Sequence, residues 1–194
     1  MADGAWVVVG LGNPGVSYAR TPHNVGYLVC DELADRLGAQ WRAHKSGRAH
    51  VIEARLLPLP GPRVVLGRAR SYMNDSGGAV AGLLAFYKVS PERLVVVHDE
   101  LDLPAESLRV KFGGGDNGHN GLRSIRSALG TGDYYRVRVG VGRPVGRQSA
   151  SDHVLSPLSG DDRARLVLSA QRAADAAESL LRNGLSQTQQ EFNR

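Results

Sequence analysis

The chain has 194 residues, 42% of them hydrophobic and 22% charged, which suits one globular domain with a real core and excludes a disordered or fibrous chain. Twenty-four basic against nineteen acidic side chains give +5, and every basic residue except Lys45, Lys88 and Lys111 is arginine, a bias that favours a phosphate-bearing partner. The sole cysteine, Cys30, excludes an intrachain disulfide. The N-terminus has no signal-peptide pattern and no stretch has the length of a membrane helix, so the expected compartment is the cytoplasm, with no membrane association.

In chain order, Val7-Val8-Val9 is a buried strand that runs into the turn Gly10-Leu11-Gly12-Asn13-Pro14-Gly15. Gly10, Gly12 and Gly15 spell a dinucleotide fingerprint, but that motif needs a helix opening directly on the glycines, and Pro14 lacks an amide proton while Pro22 interrupts any helix from there. The helical spacing of Val25, Leu28, Val29, Leu33 and Leu37 instead predicts a helix capped by Thr21, with Pro22 in its first turn and Gly38 as its stop. His23 then sits at the positive end of a helix, where imidazolium is disfavoured and a neutral base favoured. Cys30 falls on the same helix and is expected in the core.

Ala49 to Leu56 and Arg63 to Gly67 read as strands separated by a proline-rich turn. Asp75 or Ser76 can cap a helix through Val80, Leu83, Leu84 and Tyr87. Leu94-Val95-Val96-Val97 is a strand buried on both faces. Ser107 to Phe112 is another strand, followed by a glycine-rich loop from Gly113 to Gly121 and a helix from about Leu122 to Leu129. Tyr135 to Val139 alternates as a half-exposed strand, and a long helix spans about Asp161 to Leu181. Alternating strands and helices predict an α/β fold, a layered single domain on a mostly parallel sheet, without internal repeats.

Polar loops follow the strands: Asn13 the first, Ser71-Tyr72-Met73-Asn74 the third, His98-Asp99 the fourth, His119-Asn120 the fifth. If those strands are parallel, the loops meet at the carboxyl edge, where open α/β sheets bind ligands. Asp99 is then the candidate partner that orients His23 as a general base. Neither a Gly-x-Ser-x-Gly elbow nor a zinc motif is present. His98, Asp99 and His119 offer metal-ligand chemistry, but neighbours on a strand point to opposite faces, which argues against it. What remains is a histidine-carboxylate pair ringed by asparagines. Such a site activates water, and its amides can hold a carbonyl and a developing oxyanion.

The run Gly10-Leu11-Gly12-Asn13-Pro14-Gly15, Tyr18 and Thr21-Pro22-His23-Asn24-x-Gly26 resembles the opening of bacterial-type peptidyl-tRNA hydrolases. Later blocks agree in order: Tyr72-Met73-Asn74-x-Ser76-Gly77, Asp99 to Pro104, Gly113 to Leu122, and Gly140-x-Gly142-Arg143-Pro144. The resemblance covers nearly the whole chain. It implies a monomeric three-layer α/β/α enzyme with a mixed sheet that hydrolyses the ester of peptidyl-tRNA without cofactor or metal. It implies His23 as the base, Asp99 as its holder and Asn13 as the residue that tells peptidyl-tRNA from aminoacyl-tRNA. Tyr18, Tyr72, Asn74 and Asn120 would bind the tRNA end or the peptide, and Lys111 and Arg138 the 5′-phosphate of tRNA. Two departures stand out: Pro22 replaces the family's usual arginine, and Arg68-Ala69-Arg70-Ser71 replaces its Lys-Pro-x-Thr. A small-ester esterase and an inactive RNA-binding protein are the competing readings.

Overall fold

The computed structural model describes residues 4–194. One seven-stranded sheet runs through the molecule in the order β2-β3-β4-β1-β5-β7-β6. Its centre is four parallel strands: β1 (Trp6–Gly10), β4 (Arg63–Ala69), β5 (Leu94–Glu100) and β7 (Tyr135–Gly140). β3 (Ala49–Arg55) pairs antiparallel with β4, and β6 (Leu108–Phe112) pairs antiparallel with β7. The short β2 (Arg42–Ala43) pairs antiparallel with β3 on the outer side and was not foreseen from sequence. The mixed three-layer α/β/α architecture expected above is the one observed.

β1 and residues 94–97 of β5 are apolar on both sides because both sides are covered, and β7, expected to be half-exposed, is covered as well, with its Arg136 buried. Val8, Val95, Val97, Val137 and Val139 face α1 (Val25–Leu37), α5 (Gly160–Asn183) and α6 (Leu185–Phe192). Val7, Val9, Leu94 and Val96 point the other way, toward α2 (Ser76–Tyr87) and α3 (Asn120–Leu129). The two sets interleave residue by residue, as the two-residue period of a strand requires. Cys30 is fully buried in the first layer, and burial pushes its thiol up to about 12, so it packs rather than reacts.

Four sequence expectations are corrected. First, α1 begins at Val25, after a separate 3-10 turn Pro22–Asn24. Thr21 makes no side-chain cap; its hydroxyl donates to the Tyr18 carbonyl at 2.8 Å. Second, neither Asp75 nor Ser76 caps α2 through its side chain, and the Ser76 hydroxyl donates to the Met73 carbonyl at 2.7 Å. Third, α3 starts at Asn120 rather than near Leu122, because the His119 ring accepts the first helical amides. Fourth, the fifth long strand, β6, is antiparallel, so its carboxyl end lies beside Tyr135, at the start of β7. The loop after it reaches the site by a longer path, described below. The helices α4 (Ala150–Leu155) and α6 were also unforeseen; the former is too short for helical periodicity to stand out.

The site is positioned by the approach of α1 to the end of β1. Gly26 lies against the Leu11 amide, which donates to the Val97 carbonyl at 3.0 Å. A Cβ on Gly26 would stand 2.4 Å from both Leu11 N and Val97 O, and one on Gly10 would stand 2.0 Å from the Gly26 carbonyl oxygen. These neighbours are backbone and cannot swing aside. Gly26→Ala should therefore cost about 3 kcal/mol or more, the upper end for overpacking, while Gly82→Ala, in α2 with no atom within 4 Å of the new methyl, should gain about 0.5–1 kcal/mol. Chemical denaturation of the two variants checks this; equal effects would mean that the β1–α1 contact is not rigid.

Candidate active site

Asn13 ends up where it does because two hydrogen bonds lock the glycine turn to the helix entry. The Asn13 amide donates to Asn24 Oδ1 at 2.8 Å, and Asn24 Nδ2 donates to the Asn13 carbonyl at 2.9 Å. That use of Asn24 explains why it leaves the α1 terminus uncapped. The Asn13 side chain is oriented in turn: its Oδ1 accepts the Met73 amide at 2.7 Å. Its Nδ2 has no protein partner among the described residues, and Asn13 lines the cleft that also contains His23, so this side chain offers a donor there.

The carboxyl end of β5 supplies Asp99, which is only 3% exposed. One of its oxygens receives His23 Nδ1 at 2.8 Å and the other receives His119 Nε2 at 2.7 Å. Burial alone would raise the Asp99 carboxyl, but the two imidazoles and their hydrogen bonds outweigh it and hold the group well below the usual carboxylate range. An ionised carboxylate only accepts, so both ring nitrogens that face it carry protons. His119 is fixed further: its Nδ1 accepts the Gly121 and Leu122 amides at 3.1 and 3.4 Å, which assigns its proton to Nε2. In its neutral form with Nδ1–H on Asp99, His23 keeps Nε2 as a free base.

Sequence reasoning had considered His119 only as a metal ligand and missed its bond to Asp99. It arrives by the glycine-rich loop. That loop leaves β6 with the Gly113 amide on the Tyr134 carbonyl at 2.9 Å and returns to the far end of β5. Arg136, 1% exposed, anchors it: the guanidinium donates to the carbonyls of Gly114, Gly115 and Gly132. No carboxylate pairs with this buried cation among the described residues; three carbonyls and the Tyr134 ring, 4.6 Å away, surround it.

The cleft holds about 450 Å³ and is lined by Asn13, Tyr18, His23, Tyr72, Asn74, Asp99 and Asn120 together. Tyr18 and Tyr72 meet edge to face at 6.1 Å. Ser151, Val154 and Leu155 of α4 complete the wall; no motif in the sequence singles them out. Lys111 and Arg138 lie outside this lining. Arg138 donates to the buried Glu100 at 2.7 Å through Nη2 and 3.2 Å through Nε, leaving Nη1 without a partner among the described residues. Lys111 has no ion pair there, and burial followed by the nearby Arg138 and Arg136 lowers its ammonium.

Donor atoms of His23, Asp99 and His119 lie within 4.8 Å of one another, close enough for one cation. Each Asp99 oxygen is already engaged by an imidazole N–H, and the remaining His119 nitrogen holds α3, so a metal would have to displace those bonds. His98, the other histidine of the motif, lies outside the cleft lining and packs edge to face against the His119 ring, with centroids 5.1 Å apart. The His98 Nδ1 donates to the Asp99 carbonyl at 2.8 Å, and its buried Nε2 has no partner among the described residues.

Burial, then the adjacent His119 ring, pushes His98 down to about 3. An unfolded histidine titrates near ~6.5. Between those values the unfolded chain holds a proton that the folded chain lacks, so acid favours unfolding, by up to about 1.4 kcal/mol per pH unit. Asp99 acts in the same direction only at lower pH: its contribution is present above the unfolded carboxyl value and is lost as pH falls toward its depressed folded one. His98→Gln should therefore flatten stability against pH between about 4.5 and 6.5. An unchanged slope in denaturation series would show that His98 is protonated in the folded protein.

The sequence profile of the peptidyl-tRNA hydrolase family matches residues 7–194. A peptidyl-tRNA hydrolase of Frankia alni is 53% identical over 98% of this chain and 95% of its own. That of Kineococcus radiotolerans is 53% identical over 100% of this chain and 98% of its own. The crystal structure of peptidyl-tRNA hydrolase from Acinetobacter baumannii superposes with a TM-score of 0.89 at 32% identity, covering 100% of this chain and 96% of that one. The chain belongs to the peptidyl-tRNA hydrolase family.

Proposed function

We propose that the protein, acting as a single-domain monomer in the cytoplasm, hydrolyses the ester between a peptide and the 3′ ribose of tRNA by direct attack of water, without a covalent intermediate, metal or cofactor. The observation that carries this reading is the His23 Nδ1–Asp99 Oδ2 hydrogen bond of 2.8 Å inside a cleft that also contains Asn13, Asn74 and Asn120. His23 Nε2 takes a proton from water as its oxygen attacks the ester carbonyl. Asp99 stabilises the imidazolium that forms. Amide N–H groups of Asn74 and Asn120 steady the oxyanion. The imidazolium then returns the proton to the departing 3′ oxygen, giving a free ribose hydroxyl and a peptide carboxylic acid, which loses its remaining proton to solvent.

Asn13 supports selection for peptidyl over aminoacyl esters. Its oxygen is spent on Met73, so the substrate meets an N–H donor. A donor pairs with a peptide carbonyl and repels a free ammonium, which itself only donates. Tyr18 and Tyr72 offer ring surface to the terminal adenosine. Lys111 and Arg138 supply a positive site for the 5′-phosphate: Lys111 has no ion pair among the described residues, and a phosphate would relieve its repulsion by Arg138 and Arg136.

His23→Ala should lower kcat by about 100- to 10,000-fold with little change in KM for N-acetyl-aminoacyl-tRNA, and Asp99→Asn should follow the same pattern. Near-normal single-turnover rates in either folded variant would remove the assignment, and equal turnover of a simple peptide ester by the wild type would favour a general esterase. For the phosphate site the clean variant is Lys111→Gln, because removing Arg138 would strand the buried Glu100. It should raise KM for 5′-phosphorylated substrate and flatten the log–log salt dependence by roughly 0.7–0.9. The same effect on 5′-dephosphorylated substrate would place Lys111 elsewhere.

A further inference from the structure

A second cleft, of about 700 Å³, lies on the other side of the glycine turn and shares Asn13 with the first. Pro14, Gly15, Val16 and Ala19 form one wall, and Tyr27 and Leu28 of α1 also border it. Its charged lining is mostly cationic: Arg68 and Arg70 at the end of β4, Arg163 on α5, and His50 on β3, against Asp31. Asp31 is already committed, accepting Arg68 Nη1 and Trp41 Nε1 at 2.8 Å each. Arg70 makes one long bond, 3.3 Å, to the Gly47 carbonyl, and neither Arg70 nor Arg163 has a carboxylate partner among the described residues. Burial first, then Arg68 and Arg70, lowers His50; burial and Arg20 lower Arg163. The cleft thus carries unneutralised positive charge.

The strand order says which part of the substrate can reach it. Asp99 stands on β5, with β7 and β6, the strands of Arg138 and Lys111, on one side; β1, β4 and β3 lie on the other. A substrate whose tRNA arm lies toward β7 and β6 has its second arm, the peptide, free to leave past Asn13 toward β4 and β3. We propose that this second cleft receives the peptide arm, and that Arg70 and Arg163 favour acidic side chains in the residues just upstream of the ester-linked one. This inference rests on the ester-site reading given above. RNA phosphates would also suit the charge, but the acceptor end cannot occupy the β7–β6 side and this cleft together unless the duplex wraps the catalytic edge, so the peptide is the occupant argued here.

The test compares kcat/KM at low salt for peptidyl-tRNAs that share an ester-linked residue, preceded by glutamates, by alanines or by lysines. N-acetyl-aminoacyl-tRNA, which has no upstream residues, is the reference. The expected order is glutamate, alanine, lysine, with about a two- to five-fold step for each arginine engaged at a partly exposed site. Arg163→Glu combined with Arg70→Glu should invert that order; if the pair fails to fold, Arg70→Gln alone, at an exposed position, should shrink it. An order absent in the wild type, or unaltered in the variants, overturns the proposal. A KM rise of the same factor for every substrate, reference included, with a flatter salt dependence, assigns the cleft to RNA and also overturns it. Failure of the wild type to hydrolyse the reference at all would instead refute the ester-site reading.

Discussion

A carboxylate buried at the end of a central strand is costly unless charge-assisted donors surround it, and that constraint organises the carboxyl edge of this sheet. Asp99 meets it with two imidazoles, one on each oxygen. One imidazole, His119, is tied down by the first amides of α3 and cannot turn. The other, His23, lines the cleft, and its second nitrogen has no hydrogen bond among the described residues. The asymmetry separates the two rings without reference to sequence position: His119 is bonded on both ring nitrogens, and the proposed function draws on His23 as the ring that exchanges protons with a substrate.

Each neighbouring feature serves that arrangement. The Gly10–Gly26 contact lets α1 approach β1 closely enough to set the His23 turn beside β5. The paired bonds between Asn13 and Asn24 connect the glycine turn to the same turn. Arg136 holds the glycine loop by its carbonyls, so that a segment without side chains of its own to pack still delivers His119 and Asn120 to a defined place. Flexibility in the glycines makes the path possible, and a buried cation limits it. The charge field then divides along the sheet, with Lys111 and Arg138 toward one edge and Arg68, Arg70 and Arg163 toward the other.

Much of this was legible in the sequence, for identifiable reasons. The run Leu94 to Val97 announced a strand covered on both faces, and the strand-to-loop placement of Asn13 and Asp99 pointed to a common edge. The spacing of Val25, Val29 and Leu33 gave α1 and so put His23 near its start. What escaped was set by long-range pairing. Nothing local distinguishes an antiparallel β6 from a parallel one, and its reversal is what sends the glycine loop back along the sheet. The His119–Asp99 bond depends on that reversal. The capping role expected of Thr21 failed because a 3-10 turn, Pro22–Asn24, separates it from α1, and its hydroxyl donates backward to the Tyr18 carbonyl instead of accepting a helical amide. The α4 wall, six residues long, falls below the length at which an apolar period can be read.

The central claim is that Asp99 fixes His23 with its proton on Nδ1 and its lone pair on Nε2, facing the ester. Nitrogen-15 NMR of the His23 ring at neutral pH tests it most directly. The account predicts a protonated Nδ1 with a downfield-shifted, slowly exchanging proton and a bare Nε2, and loss of that signature in Asp99→Asn. A His23 ring protonated on Nε2 with Nδ1 bare, or a signature that survives in Asp99→Asn, would contradict it.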